Sequence, residues 1–242
     1  MRLRFRFSTI PFIAMLALVT LGIALGNWQT RRAAEKTLLQ ARLAQRAAAA
    51  PLVLGEARQD PAAVAFRRVV ATGEFVPGWP VYLDNRPLDG RSGFILLMPF
   101  TIAGSRQHVL VARGWLPRDA AGSARPSNIA TPRGTVTIEG VAVERPARVM
   151  QLGTAPTLIP GAVVQNLEVD AFARASGLQL QPFLLEQTGP NVAGETLVRK
   201  WPAPGVDVDR HKGYAFQWYA LAAMAFLFFV ITGWRRGTDD DR

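Results

Sequence analysis

The 242-residue chain contains only two histidines, and they sit in different surroundings. His211 opens the stretch HKGYAFQWYALAAMAF, His211–Phe226, as the chain enters a long apolar run. If that run continues as a helix, His211, Tyr214 or Ala215, and Trp218 fall on one face. Gln217 lies inside the apolar run, where an unpaired polar side chain is costly. Neutral imidazole is a good axial ligand for haem iron. A flat apolar macrocycle with anionic propionates would match an aromatic face beside Arg210 and Lys212. The competing reading is a membrane-boundary residue that binds nothing, and this stretch alone favours it. His108, beside Val109 and Val111 in a strand-like run, reads as a structural polar residue rather than a base.

Other chemistry is sparse. The chain has no Cys, which excludes thiolate metal sites, iron–sulfur clusters, disulfides and a Cys nucleophile. It has no G-x-S-x-G, P-loop, H-E-x-x-H or G-x-G-x-x-G pattern. Asp84 and Asp89 flank a Pro-Leu turn and read as turn residues, not as an acid pair. Arg86 and Arg113 follow apolar strand positions, and Arg113 precedes Gly114-Trp115. Such arginines can clamp an anion bidentately. The alternative is a surface ion pair, for instance with Asp84 or Asp119.

Two uncharged segments must position these residues. Ile10–Gly26 and Tyr214–Trp234 are each close to the roughly 20 residues a helix needs to cross a bilayer. Arg2, Arg4 and Arg6 before the first run, and Ala24-Leu25-Gly26 at its end, also fit a cleaved signal peptide; a retained helix is the preferred reading. Trp28, Tyr214 and Trp234 suit interfacial anchors. Arginines outside both spans predict cytoplasmic termini. The expected organisation is a cytoplasmic N-terminus over 1–9, spans over 10–27 and 214–234, an extracytoplasmic (periplasmic) domain over 28–213, and a cytoplasmic tail over 235–242. The outer domain carries 22 Lys and Arg against 15 Asp and Glu, a net +7 that suits anionic lipid. No motif supports nucleic acid.

The segment after Trp28 is rich in helix formers up to Pro51, so the first span should continue as a helix, with Arg31 and Glu35 one turn apart. Strands are predicted at Arg67–Phe75, Pro80–Arg86, Gly93–Ile102, Gln107–Leu116, Thr135–Glu144, Gln181–Gln187 and Thr196–Trp201. The third and fourth should form a hairpin. A short helix is expected over Leu167–Ala175, stopped by Gly177, and a loop over Ala120–Pro132. The fold class is therefore an α+β membrane protein: two transmembrane helices flank a mainly antiparallel, partly closed sheet with few helices.

Five segments, in this order, carry a resemblance: LGNWQTRRAAEK (Leu25–Lys36), GEF (Gly73–Phe75), LDNRPLDGRSGF (Leu83–Phe94), VLVARGWLPRD (Val109–Asp119) and HKGYAFQWYALA (His211–Ala222). Together, between two apolar helices, they resemble the Surfeit locus protein 1 (Shy) family of cytochrome c oxidase assembly factors. The resemblance implies a membrane-tethered protein, not an enzyme, that binds haem a and assists its insertion into the oxidase catalytic subunit. It implies His211 as the iron ligand, with Trp218, Tyr214, Gln217 and Arg210 around the haem. Trp28, Gln29 and Arg32 match the family's first motif. Arg113, Gly114 and Trp115 match an Arg-Gly-Trp segment of structural or partner-facing role, and Arg86 is grouped with them. Membrane lipid and haem a synthase are further expected partners. The rival expectations are a haem-free scaffold for an oxidase assembly intermediate and an extracytoplasmic enzyme, the latter disfavoured by the missing catalytic constellation.

Overall fold

A computed structural model describes residues 3–5, 7–118, 129–151, 153–191, 194–201 and 208–236. The chain divides into two compact units, one of Met1–Arg42 with Ala203–Arg242, the other of Leu43–Pro202.

The first unit is built on two helices. Helix α1, Thr9–Ala48, runs unbroken past the apolar segment, as its helix-forming composition predicts. Helix α4, Val208–Gly233, already contains His211 in its first turns. Both are long and apolar enough to cross a membrane. Strand β1, Leu3–Phe5, pairs antiparallel with β10, Trp234–Arg236. Less exposed positions recur at 12, 15, 19, 22, 26, 29 and 33 on α1, and at 208, 211, 215, 218, 222, 225 and 229 on α4. Alternating steps of three and four make a narrow seam with a 3.5-residue period on each helix, the pattern of two helices packed at a shallow angle. Glu35 pairs with Arg32, at 2.8 Å, rather than with the expected Arg31. Spacings of three and four both bring helix side chains together.

The second unit is a small barrel. Its strands are β2 (Leu52–Val53), β3 (Arg68–Phe75), β4 (Val81–Leu83), β5 (Gly93–Ile102), β6 (His108–Pro117), β7 (Val136–Val143), β8 (Val163–Val164) and β9 (Leu180–Gln187), with helices α2 (Pro61–Val64) and α3 (Val169–Ser176). β5 and β6 form the predicted hairpin. Strand β3 pairs with β7 over its first part and with β5 over its last three residues. With β7–β9, β9–β6 and β6–β5 pairing, five strands close into a ring. Gly73 sits at the changeover, partnered by both Val136 and Ile102. A Cβ there would lie 1.8 Å from the Thr101 carbonyl oxygen, so closure at this point requires glycine.

The ring encloses one core, including Val69, Ala71, Phe75, Leu96, Phe100, Val111, Phe183 and Leu185. A second core lies on the opposite strand faces, where Leu97, Leu110, Ala112 and Leu184 meet Phe172 of α3 and Val164 of β8. Burial on both faces explains why β5 and β6 read as unbroken apolar runs instead of alternating ones. Helix α3 ends on Gly177 in the left-handed conformation, as predicted.

The sheet is mainly antiparallel, as expected, and includes three parallel pairings, β2–β3, β4–β8 and β6–β9. Strand β9 enters after α3, and such a connection permits the parallel arrangement that a tight hairpin forbids. One expectation needs correction: residues 196–201 are not a strand. Only Val198 forms a bridge, with Trp115, and the flanking Arg199 turns inward to bind carbonyl and carboxylate oxygens. Asp119 and most of the expected 120–132 loop lie outside the described residues.

Glu186 on β9 has no ion-pair partner among the described residues, and burial pushes its carboxyl from the ordinary 4.5 up to about 7. The folded state therefore holds this proton where the unfolded chain releases it. The contribution of Glu186 to stability is full below pH 4.5, is lost between pH 4.5 and 7, and stays lost above 7, amounting to at most about 3 kcal/mol. Glu186→Gln should flatten that part of the profile and raise stability at pH 8. Urea unfolding at pH 5 and pH 8 measures this, and an unchanged slope in the variant would exclude Glu186 as its source.

Candidate functional site

The expected residues divide between the two units. In the barrel, the arginines are structural. Arg113 is fully buried, its guanidinium 4.6 Å above the Phe75 ring. It donates to Glu195 Oε1 at 2.7 Å, to Thr131 Oγ1 at 2.8 Å and to the Ala130 carbonyl at 2.9 Å. Arg199 donates to the other Glu195 oxygen at 2.6 Å and to the Arg113 carbonyl at 2.9 Å. Burial lowers the Arg113 pKa, and the Glu195 carboxylate opposes that shift. Arg86 is also buried; it donates to the carbonyls of Ala147 and Gln165 at 2.9 and 2.8 Å. Trp115 Nε1 donates to the Arg86 carbonyl at 2.7 Å.

Neither guanidinium is exposed as an anion clamp, and of the two aspartates expected as surface partners Asp119 lies outside the described residues. Asp84 pairs instead with Arg118, and Asp89 with Lys200. At Gly114 a Cβ would stand 2.7 Å from the Leu197 Cβ, so glycine lets the 195–199 segment lie against β6. Asp89 and Gly90 both have positive φ, in the two-residue turn that Leu88 and Arg91 close. His108 is half-buried, its Nδ1 3.4 Å from the Gln179 carbonyl oxygen.

Removing one partner of a buried pair costs about 3–5 kcal/mol. Because Glu195 keeps Arg199, Arg113→Met should lie near the lower end, about 3 kcal/mol. Arg118→Met, at a partly exposed pair, should cost under about 1 kcal/mol. Chemical denaturation of both variants checks the contrast; equal losses would refute it.

The other expected residues belong to the helix pair. His211 is half-buried in the seam, and its Nδ1 lies 2.8 Å from Oε1 of Gln29, itself buried on α1. Two sequence segments 182 positions apart thus meet at one point. The other imidazole nitrogen, Nε2, has no protein partner among the described residues. Arg210 stands 5.9 Å from the centroid of the Tyr214 ring. Trp218 lies two turns along α4 from His211 and lines an apolar groove of about 400 Å³ with Leu18, Leu21, Gly22, Leu221 and Met224. Gln217 points away from the seam, exposed and without a hydrogen bond among the described residues. Trp28 is also exposed, consistent with an interfacial anchor rather than a seam residue.

The sequence matches the profile of the SURF1 family over residues 16–223. The chain belongs to the SURF1 family. Its relatives include the SURF1-like protein of Rickettsia conorii, 26% identical over 217 residues, covering 88% of this chain and 86% of the relative. The SURF1-like protein of Monosiga brevicollis is 24% identical over 236 residues, covering 90% and 85%. The cytochrome oxidase assembly protein SHY1 of Saccharomyces cerevisiae is 28% identical over 107 residues, 43% of this chain and 28% of that one. In this SURF1-family chain, His211 can act as a base, a hydrogen-bond partner or a metal ligand. Among the described residues, nothing nearby brings together the nucleophile and oxyanion donors that acyl-transfer chemistry needs.

Sequence reasoning missed the contacts that hold the helices together. Gly22 and Gly26 form a G-x-x-x-G spacing, a signal for close helix packing. A Cβ on Gly22 would lie 2.9 Å from Ala222 Cβ, and one on Gly26 would lie 2.5 Å from the Tyr219 ring. Tyr219 donates its hydroxyl to Asn27 Oδ1 at 2.8 Å. Because the chain has no cysteine, Gly22→Cys with Ala222→Cys should oxidise to an intramolecular disulfide after a small outward adjustment toward the ~3.5–4.5 Å Cβ separation of such bonds. Ile23→Cys with Ala222→Cys, one position off the seam, should not. A non-reducing gel reads the difference, and equal cross-linking of the two pairs would contradict this packing.

Proposed function

We propose that this chain is an assembly factor for haem–copper cytochrome c oxidase that holds haem a at His211 and releases it to the oxidase catalytic subunit. Membership of the SURF1 family and a relative named as a cytochrome oxidase assembly protein support the assembly role. The observation that carries the haem reading is the open Nε2 of His211, half-buried where α1 and α4 meet. The residues fit the group: a neutral imidazole nitrogen for iron, exposed Arg210 and Lys212 for carboxylates, and an apolar groove running from Trp218 along both helices. Bound haem would supply an iron with an axial position to fill and two propionates.

His211 would hold the iron, and a single protein ligand would suit a carrier better than closure by two. Arg210 and Lys212 would orient the propionates. In this reading the protein lies in the bacterial inner membrane with two spans, both termini cytoplasmic and the barrel periplasmic. Haem a synthase would be the donor, and the chain would perform no turnover chemistry of its own.

Protein purified from cells that make haem a should show a haem absorption spectrum that His211→Ala reduces severalfold. Equal haem retention in both would remove His211 as the ligand. Haem-free protein that still copurifies with oxidase subunits would favour a pure scaffold.

A further inference from the structure

We infer that Gln29 is a positioning residue that fixes the tautomer of His211, so that Nε2 presents its lone pair outward. This deepens the haem reading above and rests on it only for its ligand.

A neutral imidazole carries one proton on one of two nitrogens, and the hydrogen bond made by one nitrogen decides the state of the other. Gln29 Oε1 lies 2.8 Å from Nδ1, and an amide oxygen only accepts hydrogen bonds. The proton therefore sits on Nδ1, and Nε2 is left as a bare acceptor. Histidines that bind metals use this device: the nitrogen away from the metal donates to a carbonyl or carboxylate, which orients the ring and raises its basicity.

Gln29 is itself well held. It is 8% exposed, at a seam position between Gly26 and Ala33 on α1, so its side chain has little freedom to turn away. Gly22 and Gly26 bring the backbones close enough, a turn or two below, for the contact to span the gap. His211 is correspondingly fixed at a seam position of α4, three residues after Val208 and four before Ala215. The other polar groups of this region, Asn27, Thr30 and Tyr219, are engaged with one another or with backbone. They offer Nδ1 no rival acceptor among the described residues.

The experiment reads the tautomer directly by nitrogen-15 NMR of the full chain in detergent, without haem, at a pH where the imidazole is neutral. In the wild type, His211 should carry its proton on Nδ1. Gln29→Met, which keeps the length and loses the acceptor, should move it toward the Nε2–H form that free imidazole side chains favour. Gln29→Glu, which keeps an acceptor, should restore Nδ1–H. An Nε2–H wild type, or a Gln29→Met variant with an unchanged tautomer, overturns the inference. Haem affinity provides the second readout: Gln29→Met should weaken it about 10- to 100-fold, the usual effect of losing a ligand's supporting hydrogen bond, with Gln29→Glu recovering most of it. Should the tautomer behave as described while His211→Ala retains haem, the positioning role stands and the iron-ligand reading fails; the two failures are therefore separable.

Discussion

The close approach of two helix backbones at Gly22 is the constraint from which the candidate site follows. A helix pair separated by ordinary side chains holds its axes 8–10 Å apart or more. Here, a single added carbon at Gly22 would touch both the Ala222 side chain and the Trp218 carbonyl. In an apolar surrounding, where burial of apolar surface gives no advantage, such packing is what holds helices together. The same approach brings the amide of Gln29 within hydrogen-bond reach of His211. A polar pair at this level is tolerable because each partner satisfies the other.

The barrel solves a different problem. Strands β5, β6 and β9 are buried on both sides, and among the described residues the segment after β9 makes one backbone bridge back to the sheet. Charged side chains do the rest. Glu195 sits between Arg113 and Arg199, and the two guanidiniums also take up backbone carbonyls that the missing ladder leaves open. Gly114 admits this segment, and Trp115 fastens the neighbouring turn through Arg86. The Arg-Gly-Trp segment thus makes its packing and hydrogen-bond contacts inside the barrel.

Local features were legible in the sequence where local physics decides them. The β5–β6 hairpin has apolar runs long enough, and a Gly-containing turn tight enough, to be read directly. Gly177 ends α3 because only its backbone enters the left-handed region easily. The extension of helix α1 beyond Trp28 follows from a Gly- and Pro-free run of strong helix formers. Long-range choices were not legible. Nothing near Arg113 names Glu195, 82 positions away, as its partner, so a surface pair looked natural. The parallel entry of β9 beside β6 and the closure of the ring through Gly73 depend on tertiary packing. Both halves of the His211 site were visible as separate segments, but only the fold puts Gln29 and His211 together; the glycine spacing of α1 was the available clue.

The short ladder between β1 and β10 acquires a mechanical meaning from this arrangement. It ties the far ends of the two helices by main-chain bonds, in a register that pairs Leu3 with Arg236 and Phe5 with Trp234. Toward the opposite end, side chains tie the helices: Gln29 to His211, and Tyr219 to Asn27 and Thr30. Parting the helices at the His211 end would break side-chain bonds alone, whereas parting them at the Phe5–Trp234 end would break main-chain ones, so the two ends of the pair are fastened in different ways.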